Sequence, residues 1–392
     1  MKIVHINTFP YKATGSIMLS IHRRLLAEGH ESIAIWGRGR KAENEHEFSI
    51  SDPMGVKIHG LMTRLFDRTG DYSIRATKKL IDKLDEFKPE IIHIHNLHGY
   101  YLNVPMLFNY IKNNSINVVW TLHDCWPFTG HCAYFDMVKC DKWKIGCNHC
   151  QQKKTYPASI LFDHSKKNWE KKKEMFSGIN LTIVTPCQWL ENLVKHSFLK
   201  DNVICTIYNG IDQNVYHSIE MTESEAERFV GKKVILGVAS EWTERKGLAD
   251  FVKLAEQLDS ERYVVVTVGL TKEQCGKMPK QMIALERTSN LTELLKLYTR
   301  ADIFFNPTYE DNFPTTNLEA MACETPVLTY ATGGSPESIE DGCGWIVKKG
   351  DLNTAIKIIE QSDKCKSVSL SEKYYVDRMQ ENYIKLYNTI LR

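Results

Sequence analysis

Asn306-Pro-Thr-Tyr-Glu310-Asp311-Asn312-Phe313-Pro314-Thr315-Thr316-Asn-Leu-Glu319-Ala-Met-Ala-Cys-Glu-Thr-Pro326-Val-Leu328 reads as a strand end, a loop, a helix and the start of the next strand. The apolar run 303–306 stops at Asn306, and the loop after it carries Glu310 and Asp311. Pro314 suits the first turn of a helix, where a missing N–H costs nothing. That helix leaves the N–H groups of Thr315 and Thr316 free at its positive end, an anion site of the size of a diphosphate. Glu319 lies one turn on and shares their face. Its two oxygens can accept from a ribose hydroxyl pair.

On either side of this segment the same alternation continues. Apolar strands are expected at 234–238, 263–268, 303–306, 326–329 and 345–347, with helices at 248–258 and 291–299. The first half repeats the pattern, with strands at 2–6, 32–36, 91–95, 118–122 and 181–185 and helices at 17–28, 73–87 and 105–113. Continuously apolar strands separated by amphipathic helices imply parallel sheets covered on both faces. The expected fold class is α/β, with two doubly wound Rossmann-like domains, 1–208 and 209–370, facing a central cleft at the carboxyl ends of their strands. Residues 371–392, bearing Tyr374, Tyr375, Tyr383 and Tyr387, form a closing helix that packs back on the N-terminal domain.

Bulk properties bound the function. A chain of 392 residues exceeds one ordinary hydrophobic core. With 43% hydrophobic and 25% charged residues it is globular, and its net charge of +2 argues against a surface built for nucleic acid. The start, Met-Lys-Ile-Val-His-Ile-Asn, reads as a strand and not as a signal peptide. No apolar run reaches the ~20 residues that span a bilayer. The expected setting is cytoplasmic, peripheral on the inner face of the cell membrane, with the cysteines as thiols or metal ligands.

The spacing from Asp311 to Glu319, with its Pro, Leu-Glu-Ala-Met-Ala-Cys and Thr-Pro-Val context, resembles the acidic-x7-acidic motif of glycosyltransferase family 4, a retaining family of the GT-B fold found in bacterial cell-surface polysaccharide biosynthesis. The resemblance implies that Asp311, where the family more often has Glu, contacts the donor sugar and that Glu319 contacts the ribose. Glu310, Asn312, Phe313, Thr315 and Thr316 then belong to the donor site. Gly237 to Gly247 resembles the loop supplying cations to the donor diphosphate. Lys246 matches the family's Lys; Glu241 stands where the family has Arg, and Arg245 is the expected substitute. Thr332-Gly333-Gly334 is a second Gly-rich turn where backbone can approach a ligand. Asn209-Gly210-Ile211-Asp212 resembles the hinge entry, and Gly15 with Ser16 the loop near donor phosphate or acceptor.

On the acceptor side, Thr121-Leu122-His123-Asp124 ends a strand where the family places a His near the transferred sugar. His123 is expected to orient or protonate at the reaction centre, with Asp124 fixing its tautomer. His95, Asn96 and His98 end the preceding strand and line the same cleft. Between them and the next strand lies a Cys-rich insertion, 125–150, with Cys-x7-Cys-x6-Cys-x2-Cys at Cys132, Cys140, Cys147 and Cys150. That spacing suits a tetrahedral structural zinc; no catalytic metal is expected. The run after it interleaves Lys153, Lys154, Lys166, Lys167, Lys171, Lys172 and Lys173 with Tyr156, Phe162, Trp169 and Phe176. It can rest on anionic headgroups at roughly 1 kcal/mol per cation, or be a solvated helix face.

The expected activity is retaining transfer of a hexose-type residue from a UDP- or GDP-sugar to a glycan acceptor carried on undecaprenyl diphosphate, in surface polysaccharide or O-antigen synthesis, with no nucleic acid as partner. Two alternatives use the same residues. One is a GT-B sugar-nucleotide epimerase or phosphorylase; the other is a zinc-knuckle nucleic-acid-binding protein.

Overall fold

The computed structural model describes residues 1–362 and 368–392. They divide into two compact units, Met1–Tyr208 with Met379–Arg392, and Asn209–Arg378. Each is built on one parallel sheet.

In the first unit the strands are β1 (Lys2–Asn7), β2 (Glu31–Trp36), β3 (Glu47–Ser49), β4 (Ile91–Ile94), β5 (Asn117–Thr121), β6 (Leu181–Thr185) and β7 (Val203–Thr206). They run in the order β3-β2-β1-β4-β5-β6-β7, every pair parallel, with His5 opposite His93 and His93 opposite Val119. In the second unit β8 (Lys233–Val238), β9 (Tyr263–Val268), β10 (Met282–Leu285), β11 (Ile303–Asn306), β12 (Val327–Tyr330) and β13 (Gly344–Val347) run in the order β10-β9-β8-β11-β12-β13. β4, β6, β9, β11 and β12 are buried throughout, as both-face coverage demands. The core of the second unit packs Ile235, Phe251, Leu254, Val265, Phe305, Leu328 and Tyr330 against Ala355 and Ile359.

Several elements depart from expectation. The first helix runs Lys12–Ala27, starting five residues before the expected 17, so Gly15 and Ser16 are helical and not in a loop. Gly15 is required there, because a Cβ would lie 2.6 Å from the Phe9 carbonyl oxygen. Pro314 is the N-cap of its helix, one residue before the first turn. The final helix is Val376–Ile390, preceded by a short 3-10 turn at Glu372–Tyr374, and residues 371–378 belong to the second unit. Tyr375 bridges Ile211 there. From Met379 on, the helix lies in the first unit, where Tyr383 hydroxyl pairs with Thr121 Oγ1 at 2.8 Å and Tyr387 hydroxyl with His93 Nδ1 at 2.6 Å.

Candidate active site

In each sheet the chain leaves neighbouring central strands in opposite directions, between β1 and β4 and between β8 and β11. Open parallel sheets bind ligands outside the carboxyl ends at such a point.

In the second unit those ends lead into loops 239–247 and 307–314, which are tied together. Arg245 carbonyl oxygen accepts from Tyr309 N–H at 2.7 Å and from Thr308 Oγ1 at 3.1 Å. Its guanidinium Nη1 donates to the Glu310 carbonyl at 3.0 Å. Lys246 Nζ lies 2.5 Å from Asp311 Oδ2. Gly333, at φ +55, brings the second Gly-rich turn so close that a Cβ would lie 1.8 Å from the Asp311 carbonyl oxygen. Glu310, Asn312 and Phe313 are buried, and Glu241 is exposed.

The helix Thr315–Ala322 has no side-chain cap, so no side chain of its own occupies the end carrying Thr315 and Thr316. Glu319 is partly buried; its oxygens accept from Tyr298 hydroxyl at 3.0 Å and Thr315 Oγ1 at 3.3 Å. Burial raises its carboxyl above the ordinary value, and those two hydroxyls oppose the rise. Underneath, Asn306 Nδ2 donates to Asn317 Oδ1 at 2.8 Å, and Asn317 Nδ2 to Ser335 Oγ and Ser338 Oγ at 3.1 and 2.8 Å. Tyr298 and Asn317 escape a motif search, since each sits one element away from, or on the buried side of, the segment it supports.

In the first unit Asn7, at the end of β1, holds the strand ends together. Its Nδ2 donates to the Phe9 carbonyl at 3.0 Å, and its Oδ1 accepts from Asn96 N–H at 3.2 Å. His95 Nδ1 and His123 Nε2 are 3.0 Å apart, with the rings stacked. Burial holds His123 down to about 4, against the pull of Asp124, so the imidazole is neutral near pH 7. The expected His123–Asp124 partnership is corrected. Asp124 Oδ2 is 2.6 Å from His98 Nε2, and its Oδ1 accepts from Trp126 N–H at 2.9 Å. Asp124 lies in the bend three residues past the end of β5, and from there the acid reaches the neighbouring loop. Burial opposes its ionisation, but His98 and that N–H hold the carboxyl below its usual value. His98 Nδ1 in turn meets Tyr156 hydroxyl at 2.9 Å, a partner nearly 60 residues away that spacing could not reveal.

The cysteine segment carries two 3-10 turns, Trp126–Phe128 and Lys142–Lys144, and packs Phe128, Phe135 and Trp143 together. Cys132 and Cys150 thiols hydrogen-bond, which draws Cys150 down to about 7. Cys147 Sγ accepts from Gly130 N–H at 3.2 Å, the kind of contact that supports a metal-bound thiolate. Among the described residues, the potential ligand atoms that converge within 4.8 Å belong to His5, His93 and His95, so the structure pairs two of the four thiols without gathering all of them. His93 spends both nitrogens on Thr121 and Tyr387.

The lysine run is not one surface. Lys172 is buried; its Nζ donates to the Trp126 and Thr129 carbonyls at 2.6 and 3.0 Å, and burial lowers it to about 7. Trp169 and Phe176 are also buried, and Lys171 pairs with Asp71 at 2.5 Å.

Two family descriptions match this architecture, Glycosyltransferase Family 4 over residues 15–215 and Glycosyl transferases group 1 over residues 220–374. The chain is 22% identical over 407 residues to the "Putative colanic acid biosynthesis glycosyl transferase WcaC" of Escherichia coli, covering 95% of this chain and 96% of that one. It is 26% identical over 214 residues to the N,N'-diacetylbacillosaminyl-diphospho-undecaprenol alpha-1,3-N-acetylgalactosaminyltransferase of Campylobacter jejuni, about half of each chain (50% and 56%). Its fold is similar to that of sucrose-phosphate synthase from Thermosynechococcus elongatus, with TM-score 0.71, 13% identity, and coverage of 100% of this chain and 99% of that one. Two parallel-sheet Rossmann-like domains, each matched by a glycosyltransferase description and one of them over half the chain, show that the protein belongs to glycosyltransferase family 4 and is a glycosyltransferase of GT-B fold.

Proposed function

We propose that this enzyme moves a sugar, with retention at the anomeric carbon, from a UDP- or GDP-sugar to a glycan carried on a lipid diphosphate, in the assembly of a bacterial surface polysaccharide. The observation that carries the reading is the convergence of Lys246, Asp311 and the uncapped end of Thr315–Ala322 at the β8/β11 switch point. A donor diphosphate takes the N–H groups of Thr315 and Thr316 and the charge of Lys246, releasing Asp311 toward the sugar. Arg245 adds a second cation. These groups act on the negative charge that builds as the nucleoside diphosphate departs. Glu319 takes the ribose hydroxyls, and neutral His123 hydrogen-bonds the sugar, held by His95.

Polysaccharide assembly is supported by the name of the full-length Escherichia coli relative, and a lipid-linked acceptor by that of the Campylobacter jejuni enzyme. In this reading the cysteines at 132, 140, 147 and 150 hold a structural zinc beside the packed Phe128, Phe135 and Trp143, which requires Cys140 and Cys147 to move in on the Cys132–Cys150 pair. The test is release of free UDP or GDP from each donor, with and without an undecaprenyl-diphosphate-linked acceptor. Acceptor-dependent release from one donor is expected; donor conversion that ignores the acceptor overturns the proposal.

A further inference from the structure

The helix Pro53–Phe66 buries His59 and Thr63 against the first unit, yet turns Met54, Ile58 and Leu61 outward at 65%, 52% and 56% exposure. Their spacing puts them on one stripe. A second apolar group stands at its end. Ile160, Leu161 and Phe162 are consecutive and 68%, 61% and 47% exposed. Ile160 N–H donates to the Arg64 carbonyl at 2.7 Å and Phe162 N–H to the Leu65 carbonyl at 3.3 Å, while Phe162 stacks on Phe66. Ser159 Oγ closes the turn on the Phe162 carbonyl at 2.7 Å. The loop is thus fixed with its apolar side chains in water, and a built, contiguous apolar patch of this kind marks a contact surface.

The rim names the occupant. Lys57 and Arg64 from the helix, Arg68 just beyond it, and Lys154, Lys166 and Lys167 beside the loop are all exposed. The acids nearby are engaged, Asp163 by Cys150 N–H and Ser165, Asp71 by Arg68 and Lys171, Glu170 by Lys166, and Asp52 as the helix cap. Arg68 and Lys166 are thus partly offset, and Lys57, Arg64, Lys154 and Lys167 carry the rim's charge. Apolar side chains ringed by cations fit the headgroup boundary of an anionic bilayer. A second copy of the chain would bring like charges together.

We infer that the outward face of Pro53–Phe66 and the tip at 160–162 form one membrane-docking surface for anionic lipid. The same loop starts at Tyr156, bonded to His98, and the helix lies under Tyr100 through Gly60 and His59. Docking therefore holds the His98–Asp124 cluster beside the bilayer, where the head of a lipid-linked acceptor emerges. That last step rests on the acceptor proposed above; the docking does not.

The experiment sediments the full chain with phosphatidylcholine vesicles, with and without about 30 mol % phosphatidylglycerol, at low and high salt. Two triple variants are compared, Ile160→Ser with Leu161→Ser and Phe162→Ser, and Met54→Ser with Ile58→Ser and Leu61→Ser. Expected are binding only to the anionic vesicles, weakening with salt, and a loss of roughly tenfold or more in each variant, at unchanged far-UV circular dichroism and unchanged turnover of a short-tailed soluble acceptor. Wild-type chain left in the supernatant, variants that sediment as wild type, or a dimer that the variants dissolve overturns the inference. Vesicle binding with no turnover of any lipid-linked acceptor supports docking and overturns the acceptor reading alone.

Discussion

Replacing Glu319 by Gln separates what this carboxylate does for the donor from what it does to the fold. Gln has the same shape. Its amide oxygen still accepts from Tyr298 hydroxyl, now 3.0 Å from the carboxylate, and its NH2 can donate to Thr315 Oγ1, now at 3.3 Å. Neither hydroxyl is orphaned. One ribose hydroxyl, however, loses a charged acceptor, a bond of about 1.5–3 kcal/mol, which is roughly a 10- to 150-fold loss of donor affinity. The pH dependence has a definite sign. Burial raises the folded carboxyl above its ordinary 4.5, so the folded chain keeps this proton to higher pH than the unfolded chain does. The stability this gives is complete below the unfolded value and is lost as pH rises through the folded one. Gln never ionises. Titration calorimetry with the cognate nucleotide should show the weakened binding, and thermal unfolding from about pH 4 to pH 8 should show a Tm gap that opens in favour of Glu319→Gln as pH rises. Donor affinity within about twofold of wild type, or a Tm gap that is flat with pH, refutes the assignment.

Lys246→Met should weaken nucleotide binding about tenfold or more while costing the fold only about 1 kcal/mol, because its ion pair with Asp311 is partly exposed; calorimetry and denaturant unfolding read the two effects. Gly333→Ala places a Cβ at positive φ against the Asp311 carbonyl, so a loss of about 1–3 kcal/mol is expected in urea unfolding, and wild-type stability would contradict the close approach. Cys147→Ser with Cys150→Ser should remove about one zinc per chain by metal analysis; a wild-type protein that is metal-free and fully stable removes the zinc proposal. Burial holds His22, His59 and His123 down to about 4 and His93 to about 3, against an ordinary 6.5. The unfolded chain therefore takes up protons that the folded one refuses, and Tm should fall steeply as pH drops below 6.5 toward 4; a level Tm across that window contradicts their burial.

What could be read from the sequence was the repeating part of the structure. Long apolar strands such as Tyr263–Val268 announce themselves because both faces are buried. The edge strands Glu47–Ser49 and Val203–Thr206 do not: they are short, partly polar and paired on one side only. At the site, the acidic spacing from Asp311 to Glu319 and the cations after β8 are legible because each lies within one short stretch of chain. Partners supplied by other elements, such as Tyr298 for Glu319 and Tyr156 for His98, were not. Lys172 was misplaced for an avoidable reason. It shares a helical face with Ser165 and Trp169, and all are buried, so the period of the helix outweighed the charge of the run.

The hydrogen bonds beneath Thr315–Ala322 bear on how such an enzyme can change its substrate. Greasy contacts alone would let this short helix roll about its axis. Asn317 instead grips Asn306 on one side and Ser335 and Ser338 on the other, and directional bonds fix an azimuth as well as a position. The end of the helix is therefore fixed in direction in the chain alone, and in the proposed donor site it would need no reorganisation to meet a phosphate. A new base or sugar is then more easily accommodated by altering the loops around 239–247 and 332–334 than by turning the helix.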